Sequence, residues 1–448
     1  MLMIGGLGDV GKIPELRKRI LFVLGMLAVY RLGVFVSTPG IDVEALRKLF
    51  DTGDGTLFGL VNMFSGGALE HFSIFTLGIT PYISVSIILQ VLTPTIPALE
   101  QLKKEGESGQ RILTRYTRYG TIALALVQSL MIAYGLEKQG LVHAPGWTFR
   151  LTTMMTLTAG TAFIMWLGEQ ITERGIGNGI SVIIFAGIIA RMPEVLVETV
   201  ALARTGEIAP LTILLLIVFS VLSTAAIVFV ERSHRKIPIQ YPRRMVGRQM
   251  AQAQTTYMPL KVNMAGVIPP IFASAFLVVP ATVASFSGSE TVQEYMEYLH
   301  PGTWTYTVVF VGLIMLFSFF YTSVIFNPPD VAENLKKHGG FVPTVRPGKP
   351  TSDYFYDVLG RMTLWGALYI SAVCILPQLV YLHFGATSFA HVFGGTAILI
   401  VVGVTLDTAS QIESHIVSRN YEAFMSKSSK AGGGMGSMSG MRSRLVRR

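Results

Sequence analysis

The feature that most constrains this chain is the recurrence of apolar stretches of a length that spans a bilayer. Ten can be read: Ile20 to Val36, Ile74 to Leu92, Tyr119 to Leu136, Thr152 to Gln170, Ile180 to Val197, Leu211 to Val230, Ala265 to Ser285, Thr305 to Phe326, Thr363 to Leu382 and Val392 to Gln411. About 20 apolar residues carry a helix across the hydrocarbon core, so ten spans take up close to half of the 448 residues. Charged residues make up 14% of the chain, against roughly 25% in soluble domains. That is too little polar surface to cover the three or so soluble domains that the length would otherwise suggest. The reading is an all-α polytopic membrane protein.

The net charge of +9 is mostly a statement of orientation. With ten spans both termini share a side, and that side carries 29 of the 36 Lys and Arg residues; the opposite side carries 6, and Arg31 lies within the first span. Basic loops stay in the cytoplasm, so both termini are expected there, and no nucleic-acid partner is needed to explain the charge. The first span follows Arg17, Lys18 and Arg19 and lacks a small-residue cleavage site, which reads as a retained span and not a removed signal.

Two cytoplasmic loops exceed what a connection needs. Residues 231–261 hold Arg235, Lys236, Arg243, Arg244 and Arg248, and residues 327–360 are rich in Pro and Gly. The basic, low-complexity stretch from Ser426 to the end is expected to be disordered. Asp51 to Thr80 is broken by Gly53, Gly55, Gly59, Gly66 and Gly67. Either it is an external loop with a short surface helix, or it enters the membrane enclosed by protein, because exposed irregular backbone cannot be satisfied in lipid.

Catalytic motifs are absent. There is no G-x-x-x-x-G-K-[ST], H-E-x-x-H or G-x-S-x-G, and the histidines have no metal spacing. Gly175, Gly177 and Gly179 follow no strand and read as a boundary turn. The single cysteine, Cys374, lies in an apolar span, which is the setting of an inert buried thiol. The span ionisables Arg31, Glu169, Arg191 and Asp407 are, Arg31 aside, near span ends where side chains reach the headgroups. No enzyme and no cofactor is expected. A small-solute secondary transporter with inverted repeats is the alternative, weakened by the lack of paired carboxylates at the midplane.

Two long irregular strings go further. NMFSGGALEHFSIFTLGITPYISVSIILQ (Asn62 to Gln90) and WLGEQITERGIGNGISVIIFAGI (Trp166 to Ile188) resemble signature segments of the SecY family, the channel subunit of the protein-secretion translocase. KKEGESGQR, the stretch from Met258 to Pro269, FNPPDVAENLKK and FVPTVRPG support the match, which runs from about Ile13 to Phe424. The resemblance implies a protein-conducting channel that moves unfolded secretory polypeptides across the bacterial cytoplasmic membrane and releases spans sideways into lipid. Its expected architecture is ten helices in two inverted five-helix halves around a pore, with a short plug helix: residues 1–197, 198–425 and a tail at 426–448.

Residue by residue, the resemblance implies a pore ring of Ile79, Ile83, Ile180, Ile184, Ile271 and Ile400. A plug is implied at about 59–72, with Gly59, Asn62, Met63, Phe64, Ser65, Gly66, Gly67, Ala68, Leu69 and Phe72. Spans two and seven would form a lateral gate with Ile87, Gln90 and Ser274; Gln90 either bonds across the gate or simply faces the bundle interior. Arg243, Arg244, Arg248 and Arg346 would dock the SecA ATPase and the ribosome, although anionic lipid also suits such residues. Gln249 and Thr344 depart from the family pattern, which commonly has Arg and Gly there. Implied partners also include SecE-like and SecG-like membrane subunits, signal sequences, nascent chains and membrane lipids.

Overall fold

The computed structural model describes residues 13–42, 46, 65–206, 209–241, 245–246, 249–250, 255–287, 303–384 and 394–432. Among them, ten long helices follow the order of the expected spans. The first half holds α1 (Pro14–Val34), α2 (Thr80–Leu92), the short α3 (Pro97–Lys104), α4 (Glu107–Lys138), α5 (Trp147–Arg174) and α6 (Gly179–Thr205). The second holds α7 (Pro210–Glu231), four strands, α8 (Ile268–Ser287), α9 (Trp304–Ile325), the short α10 (Pro328–Lys337), α11 (Lys349–Phe384) and α12 (Gly395–Gly432). Seven of the long helices are individually long and apolar enough to cross a membrane, and α2 with α3 forms a further pair bent by 97°.

Local chemistry sets the boundaries. Proline opens α1, α2, α3, α7 and α10, where its missing N–H is not needed. The Asn178 side chain accepts from Ile180 N at 3.1 Å and caps α6, and Thr303 caps α9 in the same way. Gly206, at φ +86°, ends α6 in the left-handed turn that glycine adopts without strain. The expected border between halves at 197/198 therefore lies inside α6, and the helical break comes at Gly206.

Three other expectations need correction. The second span was expected from Ile74 but is helical only from Thr80, because Gly78 sits at φ +55° and the chain runs in turns before it. Thirteen helical residues reach about 20 Å, short of the roughly 30 Å core. α11 begins at Lys349, well before Thr363, so the last part of the loop 327–360 is helix, as is α10. α12 continues to Gly432, so Ser426 to Gly432 are helical and not irregular; the remainder of the tail lies outside the described residues.

The loop 231–261 is a β-hairpin. β1 (His234–Gln240) pairs antiparallel with β4 (Thr255–Lys261), with His234 opposite Lys261 and Gln240 opposite Thr255; the short β2 (Met245–Val246) and β3 (Gln249–Met250) pair beyond them. Gln240 and Phe341 then exchange backbone hydrogen bonds of 2.9 and 3.0 Å. Ile237 and Leu260 share an apolar cluster with Val342, Phe355, Val358, Leu359 and Met362. The two long loops are thus one body, resting on the protruding end of α11.

Two larger clusters organise the bundle. One joins α1, α5, α6 and α12 through Tyr30, Val34, Ile164, Leu167, Ile183, Ile188 and Ala397. The other joins α8, α9, α11 and α12 through Phe272, Phe310, Phe317, Ile370 and Leu399. α12 contributes to both, so it is the wall common to the two halves.

Candidate functional site: an apolar constriction below a polar vestibule

All six ring isoleucines converge. Ile79, Ile184 and Ile400 are buried members of one apolar cluster, and Ile83, Ile180 and Ile271 are partly buried and packed against it. They arrive from four elements: Ile79 and Ile83 at the start of α2, Ile180 and Ile184 on the first turns of α6, Ile271 on α8 and Ile400 on α12. The i, i+4 spacing of Ile79/Ile83 and of Ile180/Ile184 puts each pair on one helix face.

On one side of the isoleucines lies a cavity of about 390 Å³ with Ile184, Ile271 and Ile400 in its wall. Its other lining residues include Asn178, Glu231, Lys261, Asn263, Asp407 and Gln411. Ile400, Val404, Asp407 and Gln411 repeat at helical spacing along α12, so the polar end begins about 10 Å from the ring at Asp407 and reaches about 16 Å at Gln411. Asn263, only 3% exposed, donates to Glu231 Oε1 at 2.7 Å and to the Gly266 carbonyl at 3.1 Å, while its own Oδ1 accepts from Gly266 N at 3.0 Å. Lys261 lies 3.4 Å from Asp407 across the mouth, and Gly177 N donates to Gln411 Oε1 at 2.8 Å. The base of the hairpin is therefore tied to α7 and α12 and to the turn that leads into α8. Asn263 is a residue the sequence reading quoted within a motif but did not single out.

On the other side lies the segment Ser65 to Gly78. Ser65, Ala68, Leu69 and Phe72 are buried, as are Gly66 and Gly67, and Ala68 and Phe75 belong to the same cluster as the ring. Ser65, the first described residue of this part, is helical, and Gly66 to Phe72 run on in turns and a bend, with Gly66 and Gly67 at φ +67° and +88° and Phe72 at +43°. Gly59, Asn62, Met63 and Phe64 lie outside the described residues. The irregular backbone is paired, as it must be at depth: Ser73 N donates to Ala68 O at 2.9 Å, Thr38 N to Phe72 O at 2.8 Å and Ile74 N to Val36 O at 2.9 Å.

α2 and α8 lie side by side, and Ile87 shares an apolar cluster with Phe272, Ala273 and Ala275. The polar gate candidates bond within their own helices: Gln90 Nε2 donates to Ser86 Oγ at 3.1 Å and Ser274 Oγ to Ile271 O at 2.9 Å. Among the described residues Gln90 makes no hydrogen bond to α8; its amide donates to Ser86 one turn earlier. The α2–α8 seam is apolar.

Arg346 is exposed on the body formed by the two long loops, in the turn leading into α11, and its carbonyl accepts from Thr351 Oγ1 at 2.8 Å. Thr344, two residues earlier, has φ +72°, the region where a glycine is unstrained. Arg243, Arg244 and Arg248 lie outside the described residues, between the strands of the hairpin. Among the described residues, no cluster of three or more His, Cys, Asp or Glu has metal-binding geometry.

Comparison with known proteins shows the family and the fold. A family model described as SecY matches residues 73–409. The protein translocase subunit SecY of Escherichia coli (strain K12) is 48% identical over 438 residues, covering 96% of this chain and 97% of that protein. A solved structure described by the role of the SecY plug domain in stabilising the closed translocation channel aligns with a TM-score of 0.63 at 15% identity, covering 89% of this chain and 92% of that one. Sec61 from a canine ribosome–channel complex aligns with a TM-score of 0.60 at 14% identity and the same coverage. At those identities the solved structures speak for the shared fold.

Proposed function

Because the chain belongs to the SecY family, we propose that it is the protein-conducting channel subunit of a bacterial translocase, with six isoleucines as its constriction. The observation that carries this is the convergence of those six side chains, from four elements, at the inner end of a polar-mouthed cavity. A narrow apolar ring excludes water and ions by dewetting. It offers no hydrogen bond or charge to hold a passing chain, so an extended polypeptide fills it without being bound. A small-solute transporter would need a polar site at this depth, and the curated SecY relatives speak against that alternative.

The vestibule receives the polypeptide from the side bearing the long loops, and residues 59–72, of which Ser65 to Phe72 are described, act as the plug beyond the ring. The apolar α2–α8 seam is the lateral exit. Its opening lets a translocating segment compare channel with lipid, a choice set by the transfer free energy of its side chains. α2 is only about 20 Å long, so the seam spans the loop-bearing part of the bilayer and the plug segment closes the rest.

Energy comes from partners. The hairpin and the Arg346 turn form one exposed basic platform, suited to a SecA-type ATPase and to the ribosome; the canine relative belongs to a ribosome–channel complex. SecE-like and SecG-like subunits would cover lipid-facing helices. The asymmetry of 29 basic residues against 6 supports a cytoplasmic position for the platform and both termini in the inner membrane.

The test is site-specific photocrosslinking from Ile184 and Ile271 to a secretory chain stalled in transit. Both positions are expected to crosslink it, whereas Ile217, exposed on the outside of α7, is not. Crosslinks at Ile217 without any at the ring would refute the path.

A further inference from the structure

Arg31, in the last turn of α1, and its neighbour Tyr30 both reach the plug segment. Arg31 Nη1 donates to the Gly66 carbonyl at 2.7 Å, and the buried Tyr30 hydroxyl donates to the Ser65 carbonyl at 3.0 Å. The Tyr30 ring also stacks on Phe75, 5.8 Å between centroids, so one side chain holds both ends of an eleven-residue stretch. Arg31 lies over the Phe35 ring at 4.9 Å, and Phe35 in turn contacts the His71 ring at 5.5 Å. From the opposite wall, Arg191 of α6 pairs with Glu70 at 3.7 Å.

The backbone shows where this grip acts. Beyond the glycine pair, Ala68 O accepts from Ser73 N and from Thr76 Oγ1, so Ala68 to Gly78 is folded on itself. Gly66 faces α6 so closely that a Cβ there would lie 2.9 Å from Gly187 Cα. The two carbonyls taken by Tyr30 and Arg31 belong to Ser65 and Gly66, at the joint between that folded stretch and the residues before it. A hydrogen bond from a charged donor in a water-poor site is among the stronger ones available.

We propose that Tyr30 and Arg31, at the external end of α1, are positioning residues that latch the plug segment at the Gly66–Gly67 joint, with Arg191–Glu70 as the second hold. The idea rests on the plug assignment made above. Displacement of the plug then breaks two α1 hydrogen bonds at the joint while Ala68 to Gly78 keeps its own. Arg31 serves the channel as a fixed donor and not as part of an ion path.

The experiment uses the full chain with its copurifying membrane subunits in liposomes. Ion conductance is measured without a translocating chain, alongside the ratio of export of a preprotein with a defective signal to one with an intact signal. Tyr30→Phe with Arg31→Gln is expected to raise resting conductance about ten-fold, the ratio equivalent to about 1.4 kcal/mol, and to raise the export ratio. Arg31→Lys, which keeps a charged donor, should lie closer to the parent. If the double variant fails to fold, Tyr30→Phe alone removes one oxygen and is expected to shift both readouts the same way, by less. Parent-like conductance in the folded variants, with a deletion of residues 59–72 that does leak, would overturn the latch and leave the plug standing. A deletion that also fails to leak would overturn both.

Discussion

Shortening Ile400 to alanine tests the ring most directly. The side chain is 1% exposed, and three carbons are lost, about 2.4 kcal/mol at ~0.8 kcal/mol each. A sealed, dry void would carry the cost further into the ~2–5 kcal/mol range of such truncations. Ile400, however, also lines the 390 Å³ vestibule, so the new space merges with a polar-mouthed cavity and the loss should stay near ~2 kcal/mol. What changes more is the barrier: the wall that separated the vestibule from Ala68 and Phe75 becomes thinner. Resting conductance in liposomes is expected to rise several-fold, with Ile400→Val close to the parent. Ile217→Ala, on the outer face of α7 at 45% exposure, is the control and should leave conductance unchanged. Equal leaks from Ile217→Ala and Ile400→Ala, or none from Ile400→Ala, would refute the assignment of the seal to these isoleucines.

Five further outcomes follow from the same geometry. Gln90→Ala should leave resting conductance within two-fold of the parent, measured in liposomes, because the amide bonds to Ser86 on its own helix. Asn263→Ala should lower thermal stability in detergent by about 1–3 kcal/mol, having left the part-buried Glu231 without its donor; Lys261→Ala, at an exposed pair, should cost no more than about 1 kcal/mol. Thr344→Gly is expected to be neutral or to raise the melting temperature, since the residue at φ +72° loses a left-handed strain of about 1–2 kcal/mol. Arg346→Glu should uncouple ATPase-driven secretion in inverted vesicles while insertion of membrane proteins continues.

Much of this was legible in the residues, because a span must be apolar whatever packs around it. The ten helices follow the ten apolar runs, and the strings around Ile79 and Ile180 carried the ring positions by resemblance. Where polarity stops being a guide, the reading stopped too. Lys349 to Met362 is mixed in character and reads as loop, but its Phe355, Val358, Leu359 and Met362 form a helical apolar stripe whose partner, the hairpin, lies about a hundred residues earlier. Apolarity also carried the second span back to Ile74, past Gly78, whose positive φ ends any helix there. The polar grip of Tyr30 and Arg31 could not be read at all, since its acceptors are backbone carbonyls and those leave no mark on a sequence.

α11 has one more consequence. Its 36 residues make a rod of about 54 Å, nearly twice the thickness of the hydrocarbon core. Its Phe355 end is embedded in the loop platform and its Ile370–Cys374 stretch in the core of the second half. A motor thrusting a chain inward must be resisted by whatever it stands on. On the proposed function, with a motor seated on the platform, that recoil would pass down one continuous helix into the body of the second half, where the Ile370–Cys374 stretch packs beside α12.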